Sequence, residues 1–183
     1  MAKLPRAGRV KTRLGRDIGM VPAAWWMRHR LRRLLRDLRD PRWDLALAVA
    51  PDTTLAAADW PRDLPRLPQG PGDLGQRMAR QFRTASAGPL LIVGADIPGL
   101  RRGHITRAFA LLGRNDAVLG PATDGGYWLI GLHRTAATPA TLFRATRWSS
   151  PHALADTLAS LPGARIVLTD TLSDVDTAAD LAH

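Results

Sequence analysis

The residues able to do chemistry fall in five short segments. The first runs Lys3-Leu4-Pro5-Arg6-Ala7-Gly8-Arg9-Val10-Lys11-Thr12-Arg13-Leu14. A glycine-containing loop carrying Lys11 and Arg13 suits a diphosphate: backbone N–H groups approach closely at Gly8, and the two cations neutralise charge. It is not a P-loop, which needs Gly directly before Lys-[Ser/Thr], where Val10 stands. An ordinary basic loop is the plain alternative. Against it, Lys11 is one of only two lysines among 26 basic residues, so a flexible point charge is kept where arginine is otherwise used.

The second segment centres on Gly72-Asp73-Leu74-Gly75. Two glycines flank an aspartate where a loop enters a helix, which lets backbone approach a nucleobase or ribose. Asp73 as a simple N-cap, with Gly72 completing the turn, explains the same residues. The third is Gly94-Ala95-Asp96-Ile97-Pro98-Gly99-Leu100. A lone carboxylate at the carboxyl end of an apolar run is poorly placed for stability and well placed for a divalent cation, since magnesium is held by one or two carboxylates plus substrate phosphates. The fourth, Gly120-Pro121-Ala122-Thr123-Asp124-Gly125-Gly126-Tyr127-Trp128, reads equally as a hairpin turn and as a site. In the fifth, Asp174 and Asp176 flank Val175, and in extended chain they project to one side. A bound cation would turn their repulsion into coordination; N-capping of a following helix by Asp176 is the alternative. The five histidines show no ligand spacing, and Trp148-Ser149 suits either an acceptor pocket or a core edge.

The elements that must position these residues are short. Residues 1–4 read as the end of a strand, 5–13 as loop and 23–39 as an amphipathic helix stopped by Asp40-Pro41. Residues 45–50 read as a buried strand and 51–71 as mostly loop, with one short strand near Leu67. Beyond these, 73–85 reads as helix, 90–93 as a buried strand, 104–112 as helix, and 117–119 and 127–132 as strands. Residues 151–161 form a helix capped by Ser149 or Ser150, 165–168 a last strand, and 177–181 the start of a terminal helix. Alternating strands and helices describe one α/β domain over residues 1–183, its sheet mainly parallel, with ligands expected beyond the carboxyl ends of the strands.

Composition narrows the class. The 183 residues are 45% hydrophobic and 23% charged, as in soluble globular chains, and contain no cysteine, which excludes disulfide, zinc-thiolate and thiol-nucleophile chemistry. No apolar run approaches the roughly 20 residues of a membrane span, and no signal-peptide core follows the basic start, so a cytoplasmic protein without a membrane partner is expected. A net charge of +10 invites a nucleic-acid reading. But arginine replaces lysine almost everywhere, and the densest basic stretch, 28–36, is interrupted by leucines at helical spacing. It reads as a solvated helix face, so no nucleic-acid partner is expected.

Taken in order, the segments resemble small bacterial GT-A-like transferases, the selenodomain-associated transferases or glycosyltransferases of arsenosugar biosynthesis. The matching motifs are Lys3 to Leu14, Gly72 to Met78, Gly94 to Leu100, Gly120 to Tyr127, Trp148-Ser149, and Asp174 to Leu181. They span nearly the whole chain. The resemblance implies a nucleotide-diphospho-sugar transferase fold, Rossmann-like with a mixed, mainly parallel sheet, similar to molybdopterin and phospholactate guanylyltransferases. It implies an enzyme using a nucleotide sugar or nucleoside triphosphate donor and a small-molecule acceptor, with Mg2+ or Mn2+ held by Asp96, Asp174 and Asp176. Gly8, Lys11, Thr12 and Arg13 would meet the donor phosphates, and Gly72, Asp73 and Gly75 the nucleoside. Gly125, Gly126, Trp148 and Ser149 would face the acceptor, with Asp124 the candidate general base. Glycosyl transfer is the first expectation and nucleotidyl transfer the alternative; a non-catalytic nucleotide-binding protein ranks lower. The resembling family carries several apolar residues before the position of Lys3, whereas this chain starts at Met1, so either the start lies upstream or the first strand is short. Trp128 stands where that family has a smaller aromatic. Oligomeric state is left open.

Overall fold

The unbroken apolar run Leu-Ala-Val-Ala is buried at every position and forms strand β2 (Leu47–Ala50). In the computed structural model, which describes residues 1–135 and 137–182, β2 is the middle of a parallel three-stranded sheet. Strand β1 (Ala2–Lys3) lies on one side, with Ala2 opposite Val49, and β3 (Arg66–Pro68) on the other, with Leu67 opposite Ala48. These strands belong to one of two compact units, made of residues Met1–Pro68, Gly94–Arg102 and Asp174–His183. His183, given no role above, lies outside the described residues.

Two consecutive helices complete that unit. Helix α1 (Thr12–Ile18) was not foreseen: Gly15 interrupts its apolar pattern, and its seven residues are too few to show a period. Gly19 ends α1 with φ 96 and at once starts α2 (Met20–Asp37), a junction open to glycine because of that left-sided φ. α2 buries Ala23, Ala24, Met27, Leu31, Leu34 and Leu35, a stripe at three- and four-residue spacing. Ala24, Met27, Leu31 and Leu35 pack with Leu4, Leu47, Val49, Trp60 and Ala95.

The second unit comprises Gln69–Val93 and Gly103–Ser173. Its sheet has the order β4-β6-β5-β7, formed by β4 (Leu90–Val93), β5 (Ala117–Pro121), β6 (Tyr127–Leu132) and β7 (Ile166–Leu168). β6 runs antiparallel to both β4 and β5, while β7 is parallel to β5. Three of the five strand pairings are thus parallel, giving a mixed arrangement in which β6 is antiparallel to both of its neighbours. Helices α3 (Leu74–Thr84), α4 (Arg102–Leu112) and α5 (Ala153–Ala159) follow the sequence reading closely.

Three local expectations need correction. β4, read as buried, is an edge strand in which only Ile92 is fully covered. α5 is capped at His152, with no side-chain cap, rather than by Ser149 or Ser150; Ser150 Oγ instead donates to Arg147 O at 2.6 Å. The terminal helix is a single 3-10 turn, Ala179–Ala182.

Candidate active site

Lys11 is placed by its neighbours on both sides. Gly8, with φ 71, and the bond from Arg9 N to Arg6 O at 3.0 Å fold the preceding loop. Val10 is buried, and Lys11 O accepts from Gly15 N at 2.8 Å, the first bond of α1. Lys11 itself sits in the left-handed region, φ 46 and ψ 49. Residues with a side chain are uncommon there, and such conformations cost about 1–3 kcal/mol, so the surrounding bonds must hold it. Thr12 and Arg13 follow in the exposed first turn.

Three carboxylates arrive from two distant stretches of the same unit. Asp96 lies three residues past β4, between buried Ala95 and Ile97, which fix its segment. Val175 is only 3% exposed and packs with Leu14 and Ala23, so in extended chain Asp174 and Asp176 project away from that core together. Asp176 is no helix cap. Asp180 takes that task, its Oδ2 accepting from Asp176 N, Thr177 N and Thr177 Oγ1, while Asp17 Oδ2 accepts from Ala178 N. The carboxylate of Asp176 is thereby left to meet cations.

All three acids converge on one nitrogen. Lys11 Nζ stands 2.6 Å from Asp96 Oδ2, 3.0 Å from Asp176 Oδ1 and 3.9 Å from Asp174 Oδ2, with its side chain 8% exposed. Arg13 Nη1 donates to the other oxygen of Asp176 at 3.0 Å. Burial is the largest influence on the lysine and pulls its pKa down, but Asp96 and Asp176 outweigh it, and the net shift is upward. The lysine is charged. Lys11 and Arg13 thus face the carboxylates of Asp96, Asp174 and Asp176.

The donor set is the one a hard divalent cation prefers, carboxylate oxygens with no nitrogen or sulfur ligand. The ammonium of Lys11 is the cation around which they gather. They meet on that ammonium rather than on each other: among the described residues no three or more His, Asp, Glu or Cys side chains are grouped to hold a metal directly.

One further arginine supports the cluster. Arg30 on α2 donates from Nη2 to Ile97 O at 2.7 Å and to Pro98 O at 2.6 Å, pinning the two peptides after Asp96. Burial, then the neighbouring charges of Arg101 and Arg33, lower its pKa from the ordinary value. Sequence reasoning missed it by treating residues 28–36 as a solvated face. The signal was present: Arg30 falls three residues after Met27 and four before Leu34, on the buried stripe of α2.

The remaining predicted residues lie in the second unit. Asp73 forms a full capping box, accepting from Gln76 N at 2.8 Å while its own N–H donates to Gln76 Oε1 at 3.0 Å. Gly72, φ 104, completes that turn, and Gly75 is buried where a Cβ would stand 2.7 Å from Trp148 Cζ2. Asp124, Gly125 and Gly126 form the β5–β6 turn, with Asp124 Oδ1 accepting from Gly126 N at 2.9 Å. Trp148 is edge-on to Tyr127 and Phe143. The segment around it is strained: Phe143, Ala145 and Ser149 all have positive φ, and Arg147 is tied to Asp156 through N, Nε and Nη2. Trp128 is 2% exposed, and its Nε1 donates to Asp170 O at 2.9 Å, so it is a core residue. Gly8, Lys11, Thr12, Arg13, Asp96, Asp174 and Asp176 thus share one unit, and Gly72, Asp73, Gly75, Asp124, Gly125, Gly126, Trp148 and Ser149 the other.

Residues 34–150 match a family model described as an uncharacterized protein conserved in bacteria, DUF2064. A crystal structure from Desulfovibrio desulfuricans G20, provisionally described as a nucleotide-diphospho-sugar transferase, is similar at TM-score 0.89 and 30% identity, covering 98% of this chain and 81% of that one. Rv0371c from Mycobacterium tuberculosis H37Rv shares the fold at TM-score 0.53 and 15% identity, over 99% of this chain and 91% of its own. No curated protein matches. The fold expected from the motifs is therefore the one found. Among the described residues no helix is long and apolar enough to cross a membrane.

Proposed function

The chain belongs to the DUF2064 family, and from that premise we propose that it is a cytoplasmic, divalent-metal-dependent transferase that takes its donor group from an activated nucleotide. Its similarity to the Desulfovibrio structure supports the class. One observation carries the chemistry: Asp96, Asp174 and Asp176 converge around Lys11, with Arg13 alongside. In this reading Asp96, Asp174 and Asp176 hold Mg2+ or Mn2+, which when bound supplies positive charge against the donor phosphates. Lys11 and Arg13 bind phosphate oxygens and neutralise the charge that grows on the departing group. Gly8 and Thr12 shape the loop that presents them. Gly72, Asp73 and Gly75 receive the nucleoside, Gly125, Gly126, Trp148 and Ser149 the acceptor, and Asp124 accepts the acceptor's proton.

Glycosyl transfer from a nucleotide sugar is the first reading. Nucleotidyl transfer from a nucleoside triphosphate uses the same phosphate-binding residues and differs in the bond aligned with the acceptor. Thermal-shift screening of nucleoside triphosphates and nucleotide sugars, with and without Mg2+ or Mn2+, tests the class: a donor should raise the melting temperature further when metal is present. Product analysis separates the chemistries, since glycosyl transfer releases a nucleoside diphosphate and nucleotidyl transfer releases pyrophosphate. If no nucleotide stabilises the protein under any metal condition, the transferase reading fails.

A further inference from the structure

Among the described residues seven large apolar side chains stand exposed, and three of them, Met20, Val21 and Trp25, are gathered at the start of α2. The other four, Leu67, Leu74, Leu168 and Leu181, sit one apiece on separate elements. Val21 is 64% and Trp25 61% exposed, unusually open for a tryptophan. The indole is nonetheless held in place. The ring of His29 stacks on it with centroids 4.3 Å apart, and His29 Nδ1 lies 2.9 Å from Trp25 O. An open hollow beside it is lined by Val21, Pro22, Trp25, Trp26 and His29.

Further along α2 the same face turns cationic. At 3.6 residues per turn, positions 21, 25, 32 and 36 fall within about 60° of arc, so Val21 and Trp25 share one row with Arg32 and Arg36. Arg28 pairs with Asp59 at 3.3 Å and Arg33 with Asp37, the sole acid of α2, at 3.7 Å. Arg32 and Arg36 are exposed and have no acidic partner among the described residues. Such a row complements a surface that is anionic outside and apolar beneath. Tryptophan prefers the boundary between hydrocarbon and headgroups, and arginine rests its stem on apolar surface while its guanidinium meets phosphate. A second copy would instead bring another arginine row and another net charge of +10 to this face.

We propose that the outer row of α2 docks on an anionic lipid bilayer, with Val21 and Trp25 seated at the apolar boundary and Arg32 and Arg36 on lipid phosphates. The helix lies in the plane of the interface. The expected absence of a membrane partner rested on the length needed to span, which a surface contact does not require. No residue of the Lys11 cluster takes part, so this surface stands or falls apart from the transferase chemistry.

The test is sedimentation of the full chain with vesicles of POPC alone and of POPC containing about 30% POPG. The POPG vesicles should bind the parent at least tenfold more tightly, and that binding should weaken at least tenfold between about 50 and 500 mM NaCl. Trp25→Ser should lose at least fivefold, and the double variant Arg32→Gln/Arg36→Gln at least tenfold. Arg114→Gln/Arg144→Gln removes the same charge from exposed sites of the other unit and should lose less than twofold. All these side chains are exposed, so each variant should keep the parent's far-UV circular dichroism. Lipid brominated on its acyl chains should quench tryptophan emission in the parent far more than in Trp25→Ser. Equal losses in the two arginine pairs would reduce the binding to bulk charge and overturn the proposal, as would POPG vesicles that bind no better than POPC. A parent that is dimeric in solution and made monomeric by Trp25→Ser would assign the face to a second copy and overturn it too.

Discussion

Replacing Arg30 by alanine isolates what holds the Asp96 segment. Arg30 Nη2 donates to two carbonyls, Ile97 O at 2.7 Å and Pro98 O at 2.6 Å. Neither carbonyl is orphaned by the change, because Leu100 N still donates to Ile97 O at 3.2 Å and Arg101 Nη1 to Pro98 O at 2.8 Å. Hydrogen bonds from a charged donor contribute about 1.5–3 kcal/mol each. Against that stands the cost of keeping a partly covered guanidinium beside Arg101, with its buried Nε making no hydrogen bond. Two bonds less that penalty leave about 2 kcal/mol, and at about 2–4 °C per kcal/mol for a chain of this size the melting temperature should fall by about 4–8 °C. Arg30→Lys keeps one donating nitrogen and should recover about half. Circular dichroism melts at neutral pH read both changes. An Arg30→Ala protein melting within about 1 °C of the parent would show that these bonds add nothing and that Asp96 is held by Ala95 and Ile97 alone.

Asp96→Asn should abolish the metal-dependent rise in melting temperature, which at a hundredfold excess of ligand over its dissociation constant corresponds to about 2.7 kcal/mol, and should keep any nucleotide-only rise; a full metal response in the variant refutes Asp96 as a ligand. Gly75→Ala forces a Cβ to 2.7 Å from Trp148 Cζ2 and 2.9 Å from Phe143 Cβ, so despite better helix propensity it should destabilise by about 1–2 kcal/mol, read by denaturant unfolding. Asp156 is held below the usual carboxylate range, chiefly by the side-chain bonds from Arg147. Its contribution is thus present above the unfolded pKa near 3.8 and lost as pH falls toward the folded one, so the melting gap between parent and Asp156→Asn should be largest at pH 7 and vanish in strong acid. A gel-shift at about 150 mM salt should show no tight DNA or RNA complex; sub-micromolar binding there would restore the nucleic-acid reading.

Legibility in the sequence tracked how local each cause is. Alternation around Val175 foretold two aspartates on one side, because strand geometry alone decides it. The N-cap at Asp73 and the hairpin turn at 124–126 were readable for the same reason, though the reciprocal bond to Gln76 was not foreseen. α1 was not, since seven residues with a central glycine show no period. The meeting of Lys11 with Asp176 spans 165 positions, and no periodicity carries information over that distance. The family motifs supplied the pairing of these segments, but not the fact that the lysine would sit among the acids. Arg30 was hidden by averaging: a stretch dominated by solvated arginines concealed the single one on the buried stripe.

The unit that holds the cluster is built from three separated pieces of chain, residues 1–68, 94–102 and 174–183. On a ribosome adding roughly 5–20 residues per second, about 8–30 s pass between the synthesis of Lys11 and that of Asp176. Throughout that interval the unit lacks the segment whose Val175 packs on Leu14 and Ala23, and the second unit receives its own last residue, Ser173, just before that segment is made. The charged cluster can therefore be complete only once residues 174–176 have been made. A chain cut before residue 174 would keep Lys11 and Asp96 but lack two of the three carboxylates that surround that lysine.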